Sequence, residues 1–315
     1  MKYRKIPNTN LEISEIALGT WVFGGDNWSG VDEKDCIEAI YTAYDTGINL
    51  IDTAPIYGLG KSEEIIGRVF KNKSLRKKFI LATKCGLKKV NNRIINCLKP
   101  ESIKEEIEAS LKRLQTEYID IYQIHWPDKD TALEETLYFL LDLKKQGKIG
   151  HIGVCNFDLE LLKKAKSIAP IVSVQNEYSL IRRKMGIEVF DFCLKEGVAF
   201  LAYGCLGGGI LSGKYREPKK FNSSDARSFF YNFYTPENFS LLKDLLLKLE
   251  TLAQKYGCLE SQIALAWVLK EKAVTSCLVG CRNSLQVKLN SPASDLDLSE
   301  EDKISLDEFN FPTFL

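Results

Sequence analysis

Short apolar segments rich in β-branched residues alternate along the chain with longer segments whose apolar residues recur every three or four positions. The first kind of segment is typical of buried strands and the second of amphipathic helices. Eight strands are predicted, at residues 15–19, 48–52, 79–84, 118–125, 151–155, 171–175, 198–203 and 275–280. The clearest intervening helices are predicted at residues 32–47, 62–70, 101–114 and 132–147. Because strands that alternate with helices form parallel sheets, eight such units predict an α/β fold, a (β/α)8 TIM barrel.

Three segments add to this alternation. The first residues predict a small β-hairpin around 7–10, placed before the first barrel strand where it would close the bottom of the barrel. After the seventh strand comes a long polar and aromatic insertion, residues 204–258, with an extra helix near 239–255. Residues 299–302 predict the start of a final helix. No repeat or linker interrupts the chain, so residues 1–315 are predicted to form one domain.

The charge balance indicates a small partner molecule. The chain has 43 lysines and arginines against 42 aspartates and glutamates, and no basic or acidic block stands out. This pattern disfavours a nucleic-acid surface and a polybasic membrane anchor. The N-terminus lacks an apolar signal region, and no apolar run is long enough to span a membrane. The interpretation is a cytoplasmic protein.

Cysteine and histidine usage argues against a metal site. The nine cysteines are odd in number, scattered and without a C-x-x-C pair, and His125 and His151 are the only histidines. Such cysteines are typical of reduced thiols in a cytosol. No metal is therefore predicted.

Polar residues collect where the predicted strands end, which is where a TIM barrel places its active site. They are Thr20, Trp21, Asp52, Lys84, His125, Asn156, Gln175, Tyr203, Gly280 and Arg282. Each alone has an ordinary explanation, since Asp52 would suit a turn cap and His125 a satisfied core position. Three consecutive buried strands that end in an aspartate, a lysine and a histidine are harder to explain, because buried charges must be paired or functional.

Four of the polar groups suggest carbonyl reduction. Tyr57, in the loop after the second strand, has a phenol whose usual pKa of about 10 is too high for an efficient acid near neutrality. We expect the Lys84 cation to lower that pKa, Asp52 to hold the lysine, and His125 to donate a hydrogen bond to the reacting oxygen. No side chain donates hydride, so a nicotinamide cofactor is required.

These residues and their surroundings resemble the aldo-keto reductase superfamily over nearly the whole chain. The motifs are GTW (19–21), INLIDTAPIYGLGKSEEIIG (48–67), LATK (81–84), SLKRLQTEYIDIYQIHWPD (110–128), GKIGHIGVCNF (147–157), VQNEYSL (174–180), YGCLGGGILSGKY (203–215) and VGCRNSLQVKLN (279–290). The resemblance, closest to bacterial reductases related to potassium-channel β-subunits, implies a barrel that binds NADP(H) without a Rossmann fold, with NAD(H) as a weaker alternative. It implies a catalytic tetrad of Asp52, Tyr57, Lys84 and His125.

The resemblance also implies cofactor contacts. Asn156 and Gln175 would hold the nicotinamide carboxamide, and the Tyr203 ring would stack beneath the nicotinamide. The adenosine phosphate would bind near Gly280, Arg282, Gln286 and Asn290, with Arg282 as the partner of the 2′-phosphate. Further contacts are implied at Thr20, Trp21 and Asp52. Cys155, Gly204–Cys205 and Val279 depart from common family residues, which bears on the preference for NADPH over NADH.

The stretch GGILSGKY (208–215) is one residue short of a phosphate-binding P-loop. Tyr215 stands where Ser or Thr would bind magnesium, and a polar loop follows instead of a helix. We expect a pyrophosphate-binding segment for the cofactor instead, with backbone N–H groups from Gly204, Cys205, Leu206 and Gly207 and the charge of Lys214. Arg227 is a further candidate for the same cofactor.

The sequence therefore predicts an NADPH-dependent aldehyde or ketone reductase with a small-molecule carbonyl substrate. The predicted substrate pocket comprises Trp21, Tyr57, His125 and Trp126, with Trp28 as a wall or core residue. Two alternatives remain open, a lyase that forms a Schiff base on Lys84 and a cofactor-sensing regulatory subunit with little turnover. A homo-oligomer is compatible with either the enzyme or the regulatory protein.

Overall fold

Eight parallel strands close into a barrel in the computed structural model of the protein, which describes residues 1–28, 30–91 and 93–312. Around the barrel the strands follow chain order, β3-β4-β5-β8-β9-β10-β11-β12. The predicted (β/α)8 fold is confirmed. The strands are β1 (Tyr3–Lys5), β2 (Glu12–Ser14), β3 (Ile16–Gly19), β4 (Leu50–Asp52), β5 (Ile80–Cys85), β6 (Leu87–Val90), β7 (Arg93–Asn96), β8 (Ile119–Ile124), β9 (Ile149–Cys155), β10 (Ile171–Glu177), β11 (Ala199–Tyr203) and β12 (Val274–Gly280).

Helices cover the outside of the barrel, and their apolar faces pack on its strands. They are α1 (Glu33–Asp45), α2 (Lys61–Phe70), α3 (Lys73–Arg76), α4 (Pro100–Leu114), α5 (Leu133–Lys145), α6 (Leu159–Ile168), α7 (Lys184–Glu196), α8 (Ala226–Phe229), α9 (Pro236–Tyr256), α10 (Glu260–Leu269), α11 (Ser284–Asn290) and α12 (Glu300–Asp307). Within the described residues, no helix combines the length and apolar character that a bilayer crossing needs.

The N-terminal hairpin closes the bottom of the barrel, as predicted. Strands β1 and β2 pair antiparallel, with Tyr3 opposite Ser14. Ile6 and Ile13 are fully buried and pack in one cluster with interior residues of the barrel, among them Leu50 and Ile121. The site must therefore open at the other end, where the strands terminate.

A second hairpin, β6–β7, follows strand β5 and was not predicted. Its residues pair antiparallel, with Leu87 opposite Asn96 and Lys89 opposite Ile94. Gly86, with φ of +91°, makes the turn from β5 into the hairpin. Both strands are short and largely exposed, so they lack the apolar alternation that reveals a strand in a sequence.

The insertion after β11 contains the predicted extra helix. Helix α9 begins at Pro236, three residues before the predicted start, because the Thr235 side chain accepts the Asn238 N–H and proline suits the first helical position. Short 3-10 helices and α8 precede it, at Gly207–Ser212, Ala226–Phe229 and Asn232–Tyr234. The final helix also starts as predicted, capped by Ser299.

Candidate active site

A cavity of about 690 Å³ opens at the carboxyl ends of the barrel strands. Most of the predicted site residues line it, namely Thr20, Trp21, Asp52, Tyr57, His125, Trp126, Asn156, Gln175, Tyr203, Gly204, Cys205, Leu206, Lys214, Arg227, Gly280, Arg282, Gln286 and Asn290. Lys84 is not part of the lining; it is fully buried, and its Nζ contacts the hydroxyl of the lining residue Tyr57. Gly207 is not part of the lining.

Lys84 is the centre of a buried ion pair. Its Nζ donates to Asp52 Oδ2 at 2.7 Å, to the Thr53 carbonyl at 3.0 Å and to the Tyr57 hydroxyl oxygen at 3.1 Å. Adjacent parallel strands bring these groups together, since β4 ends at Asp52 and β5 carries Lys84. Three oxygens thus match the three donors of the ammonium group, as a fully buried cation requires.

The electrostatics of this pair keep Lys84 charged. Burial alone would lower the pKa of Lys84, but the Asp52 carboxylate and the Tyr57 hydroxyl outweigh it and raise the pKa above its usual range. Burial raises the pKa of Tyr57 to about 12, although the Lys84 charge opposes this rise. Lys84 lowers the pKa of the phenol, as expected, but desolvation of the phenolate is the larger effect and the net pKa lies above its usual value. Tyr57 carries its proton at neutral pH.

His125 stands beside Tyr57 as a neutral imidazole. The two rings meet edge to face with centroids 5.9 Å apart. Burial and the nearby Lys84 charge hold the pKa of His125 well below its usual value. A neutral imidazole has one N–H donor, which suits it to polarise a substrate oxygen without adding a second buried cation.

The other oxygen of Asp52 is held by two glutamines. Gln175 Nε2 donates to Asp52 Oδ1 at 2.8 Å and Gln123 Nε2 donates to the same atom at 3.2 Å. Gln175 Nε2 also donates to Gln123 Oε1 at 3.3 Å. Gln123 was not predicted as a site residue, although it is a polar residue in an apolar strand, two positions before His125 and therefore on the same side of β8.

Asn156 and Tyr203 are linked across the cavity wall. The Tyr203 hydroxyl donates to Asn156 Oδ1 at 2.8 Å, and Asn156 Nδ2 donates to the His125 carbonyl at 2.9 Å. Asn156 has a positive φ of 59°, which its N–H bond to the Gln175 carbonyl helps to hold. The two residues predicted to contact the nicotinamide are thus tied to each other and to the His125 strand end.

The segment GGILSGKY forms a 3-10 turn rather than a P-loop. Residues Gly207–Ser212 are interrupted by Gly208 and Gly209, whose positive φ values of 63° and 100° break the helix. The Gly207 N–H donates to the Gly204 carbonyl at 2.8 Å and is used inside the turn. Of the four predicted pyrophosphate donors, the N–H groups of Gly204, Cys205 and Leu206 remain.

Arg227 ties the insertion to the first barrel loop. Its guanidinium bonds Asp225 at 2.6 Å and the Tyr215 hydroxyl at 2.9 Å, and it lies over the Trp28 ring with its Cζ 5.5 Å from the centroid. The Ala226 N–H donates to the Asn27 carbonyl at 2.9 Å. The insertion therefore contacts the first loop at the edge of the cavity, and the Arg227 charge is matched by Asp225.

The far end of the cavity is built by β12 and α11. The Arg282 N–H donates to Gln286 Oε1 at 2.9 Å, and Asn283 caps α11 by accepting the Gln286 N–H at 3.0 Å. Asn290 Nδ2 approaches Cys281 Sγ at 3.6 Å. Gln286 thus fixes the backbone at Arg282, a supporting contact that the sequence did not reveal.

Aromatic rings form the remaining wall near Tyr57. Trp21 is stacked with Tyr57 at 6.2 Å between centroids and meets Trp28 edge to face at 5.4 Å. Phe230 meets Trp21 edge to face at 5.5 Å, and Tyr231 lies against Trp28 at 6.3 Å. Phe230 and Tyr231 come from the insertion, and their place beside Tyr57 was not predicted.

The aldo/keto reductase family model matches residues 15–310. The chain belongs to the aldo-keto reductase family. This aldo-keto reductase is 40% identical over 304 residues to aldo-keto reductase YhdN of Bacillus subtilis (strain 168), covering 96% of this chain and 92% of that protein. It is 36% identical over 316 residues to the NADH-specific methylglyoxal reductase of Escherichia coli (strain K12), covering 95% and 96% of the two chains.

A solved structure supports the same family. The glycerol dehydrogenase AKR11B4 from Gluconobacter oxydans superimposes with a TM-score of 0.88 at 36% identity, covering 98% of this chain and 94% of that one. Aldo-keto reductases are oxidoreductases that use nicotinamide cofactors, and this aldo-keto reductase has the closed barrel of its relatives.

Proposed function

We propose that the protein reduces aldehydes and ketones to alcohols, with NADPH as the preferred electron donor, NADH as a weaker one and Tyr57 as the general acid. The observation that carries this proposal is the Lys84 ammonium group, which contacts both Asp52 Oδ2 and the Tyr57 hydroxyl at the floor of the cavity. The arrangement places a protonated phenol beside a permanent cation, and the phenol faces open space.

The cavity suits a nicotinamide cofactor. Both N–H groups of the Gln175 amide are directed to Asp52 and Gln123, while no donor in the described chain reaches its Oε1. Gln175 Oε1 is therefore an acceptor for a carboxamide N–H at the cavity wall. The nicotinamide supplies the hydride that no side chain can donate.

Other residues would hold the remaining parts of the cofactor. We assign Asn156 and Tyr203 to the nicotinamide, and Lys214 with the N–H groups of Gly204, Cys205 and Leu206 to the pyrophosphate. Thr20 and Trp21 border the same space, and Arg282, Gln286, Asn290 and Gly280 surround its far end. The charge of Arg227 is already matched by Asp225. We therefore assign Arg227 an indirect role, in which it holds the insertion against the first barrel loop at the edge of the cofactor cavity.

Each of the four tetrad residues has a separate role in the reduction of the substrate carbonyl. His125 donates a hydrogen bond to the carbonyl oxygen and Tyr57 gives that oxygen its proton as negative charge develops. An alkoxide is a stronger base than a phenolate, so the transfer is favourable even with the raised pKa of Tyr57. Lys84 stabilises the phenolate that remains, and Asp52 keeps Lys84 charged and oriented.

The substrate would lie between the tetrad and the aromatic wall. Trp21, Trp28, Trp126 and Phe230 border the cavity beside Tyr57 and exclude water from the reacting carbonyl. Trp28 is 8% exposed; it lines the cavity and also packs in the hydrophobic core of the barrel.

The Schiff-base alternative is disfavoured by the same geometry. A lysine must lose its proton before it attacks a carbonyl, whereas Asp52 and Tyr57 raise the pKa of Lys84. The regulatory alternative needs a partner surface, and no observation favours it over catalysis. All nine cysteines are free, which fits our placement of the reaction in the cytosol.

The transfer of deuterium from labelled NADPH to the product alcohol tests the proposed reaction. NADPH with both hydrogens of the reactive carbon replaced by deuterium, incubated with the enzyme and an aldehyde, should give an alcohol with one deuterium on the former carbonyl carbon. Tyr231→Phe, a change to another tyrosine of the cavity, serves as a matched control for Tyr57→Phe. Cleavage products without deuterium, together with borohydride trapping of substrate on Lys84, would instead identify the lyase.

A further inference from the structure

The hairpin β6–β7 with its two flanking residues, described over 86–91 and 93–97, is a positively charged element at the mouth of the cavity. It contains Lys88, Lys89 and Arg93 and no aspartate or glutamate. In the part of the chain that the structure describes, none of these three cations has a carboxylate partner within 4.0 Å. This differs from the rest of the molecule, whose formal charge is close to balanced. We call residues 86–91 and 93–97 the basic hairpin.

One face of the basic hairpin forms part of the cavity wall. Leu87, Lys89 and Ile94 line the cavity, and the pairing of Lys89 with Ile94 places them on the same side of the two strands. Lys88 points to the other side, where its charge acts on the Glu106 carboxylate of α4. Lys89 is therefore the cation that the basic hairpin presents to the cavity.

The basic hairpin is anchored at its base. The Cys97 N–H donates to the Gly86 carbonyl at 3.0 Å, and the Gly86 N–H donates to Glu106 Oε2 at 2.9 Å. Asn96 Nδ2 donates to the Pro127 carbonyl at 2.6 Å, next to Trp126 of the predicted substrate pocket. These contacts hold the basic hairpin beside the cavity, so that Lys89 acts from a defined position.

The other charges beside Tyr57 are already compensated. Lys84 is paired with Asp52, and Arg227 with Asp225. Asp26 also lines the cavity; its Oδ1 accepts the Asn27 N–H at 3.0 Å, and its carboxylate keeps its negative charge.

The order of the barrel strands separates Asp26 from Lys89. Asp26 follows β3 and Lys89 follows β5, so they lie on either side of the Tyr57 loop, which follows β4. A substrate whose carbonyl reaches Tyr57 therefore has the Asp26 carboxylate on one side and the Lys89 ammonium group on the other.

We propose that this enzyme prefers carbonyl substrates that carry a carboxylate or phosphate remote from the carbonyl, and that Lys89 binds this anionic group. The proposal rests on the reductase function proposed above. The body of such a substrate packs on the aromatic wall and on Leu87, while Asp26 repels the anion from the opposite side. The cations of the basic hairpin also raise the local concentration of anionic substrates.

Matched substrate pairs test the proposal through a ratio of kcat/KM values, anionic over neutral. The pairs are 4-carboxybenzaldehyde with its methyl ester, succinic semialdehyde with butyraldehyde, and glyceraldehyde 3-phosphate with glyceraldehyde. The first two pairs test a carboxylate and the third a phosphate. The ratio cancels any change that affects both members equally, including partial misfolding of a variant.

We expect Lys89→Gln to lower this ratio about fivefold, the effect of one charge pair at about 4 Å in water. Lys89→Glu should lower it further, and Asp26→Asn should raise it. Lys88→Gln removes the same charge from the other face and should change the ratio much less. High salt should reduce the wild-type ratio toward that of Lys89→Gln, because the Debye length falls to about 3 Å at 1 M.

The proposal is overturned if Lys89→Gln leaves every ratio at its wild-type value, or if Lys88→Gln lowers the ratios equally. A reduction of neutral aldehydes with an unaltered ratio would leave the reductase function standing and remove only the role of Lys89. If the wild-type enzyme reduces no member of any pair with either cofactor, the reductase function itself is wrong.

Discussion

The phenolic oxygen of Tyr57 lies 3.1 Å from the ammonium nitrogen of Lys84, which is itself 2.7 Å from Asp52 Oδ2. Because Lys84 is fully buried, its charge depends on Asp52, and in the proposed reaction the phenolate that forms at Tyr57 depends on Lys84. We therefore expect this one chain of contacts to affect both the stability of the protein and the proposed proton transfer.

Removing Lys84 should damage stability as well as turnover. Lys84→Met leaves the Asp52 carboxylate buried without a cation, so the free energy of unfolding should fall by about 3 kcal/mol or more. Urea denaturation measures this loss. Adding Asp52→Asn to Lys84→Met should recover part of the stability but none of the turnover. A single Lys84→Met variant as stable as the wild type would contradict the assigned pair.

Gln123 should act together with Gln175. Gln123→Leu takes one donor from Asp52 and one acceptor from the Gln175 amide, which should weaken nicotinamide binding and slow reduction by about tenfold. A double-mutant cycle with Gln175→Leu measures the coupling. We expect the double variant to lose less than the product of the two single losses, since both changes break one network. Independent effects would mean that Gln123 only packs the barrel interior.

Tyr203 should contribute through its hydroxyl and its ring separately. Tyr203→Phe removes the hydrogen bond to Asn156 Oδ1 and should weaken NADPH binding about fivefold, equivalent to about 1 kcal/mol. Tyr203→Leu also removes the stacking ring and should weaken binding further. Fluorescence titration of NADPH gives both dissociation constants. Identical constants for Tyr203→Phe and the wild type would remove the positioning role of the hydroxyl.

Arg282 should discriminate between the two nicotinamide cofactors. A guanidinium group matches the geometry of a 2′-phosphate, which NADH lacks. Arg282→Ala should therefore weaken NADPH binding far more than NADH binding, with Lys214→Ala as the comparison because a pyrophosphate contact affects both cofactors. Equal losses for NADPH and NADH in Arg282→Ala would exclude the 2′-phosphate contact.

Stability should depend on pH through Glu106. Burial raises the pKa of Glu106 to about 7, against opposing hydrogen bonds from the Gly86 N–H and Ser102 and the charge of Lys88. A carboxyl whose folded pKa is raised favours folding when it is protonated. This contribution is therefore complete below the unfolded pKa of about 4.3 and is lost as pH rises through about 7.

The matched variant for this effect is Glu106→Gln, which keeps an acceptor for the Gly86 N–H but does not ionise. Its free energy of unfolding relative to the wild type should increase between about pH 4 and pH 7 and then level off. Glu105→Gln, on the exposed side of the same helix, controls for the loss of one carboxylate. A pH-independent difference for Glu106→Gln would rule out this source of pH dependence.

The barrel could be predicted from the sequence because its signals are local. Each buried strand is an apolar run, and the reactive residues follow at strand ends in chain order, so Asp52, Lys84 and His125 were found without coordinates. The hairpin β6–β7 escaped because its strands are exposed and short. The periodicity of apolar residues in a sequence indicates which side chains are buried, and few side chains of this hairpin are buried.

Features that depend on distant contacts could not be predicted. Burial raises the pKa of Tyr57, and the aromatic wall of the cavity includes Phe230 and Tyr231 from an insertion far along the chain. The Gly207 N–H donates to the Gly204 carbonyl within the turn, and this hydrogen bond depends on a backbone conformation that the sequence does not specify. Gln123 became a candidate only when its contact with Asp52 was visible.

In the proposed reaction, Tyr57 gives its proton to the substrate oxygen. Single-turnover reduction by enzyme already saturated with NADPH isolates this step from cofactor binding and product release. Tyr57→Phe should bind NADPH with wild-type affinity and reduce the aldehyde about 10²-fold more slowly or worse, since positioned acid catalysis contributes at least that much. A Tyr57→Phe enzyme that reduces the bound aldehyde at the wild-type rate would contradict the account.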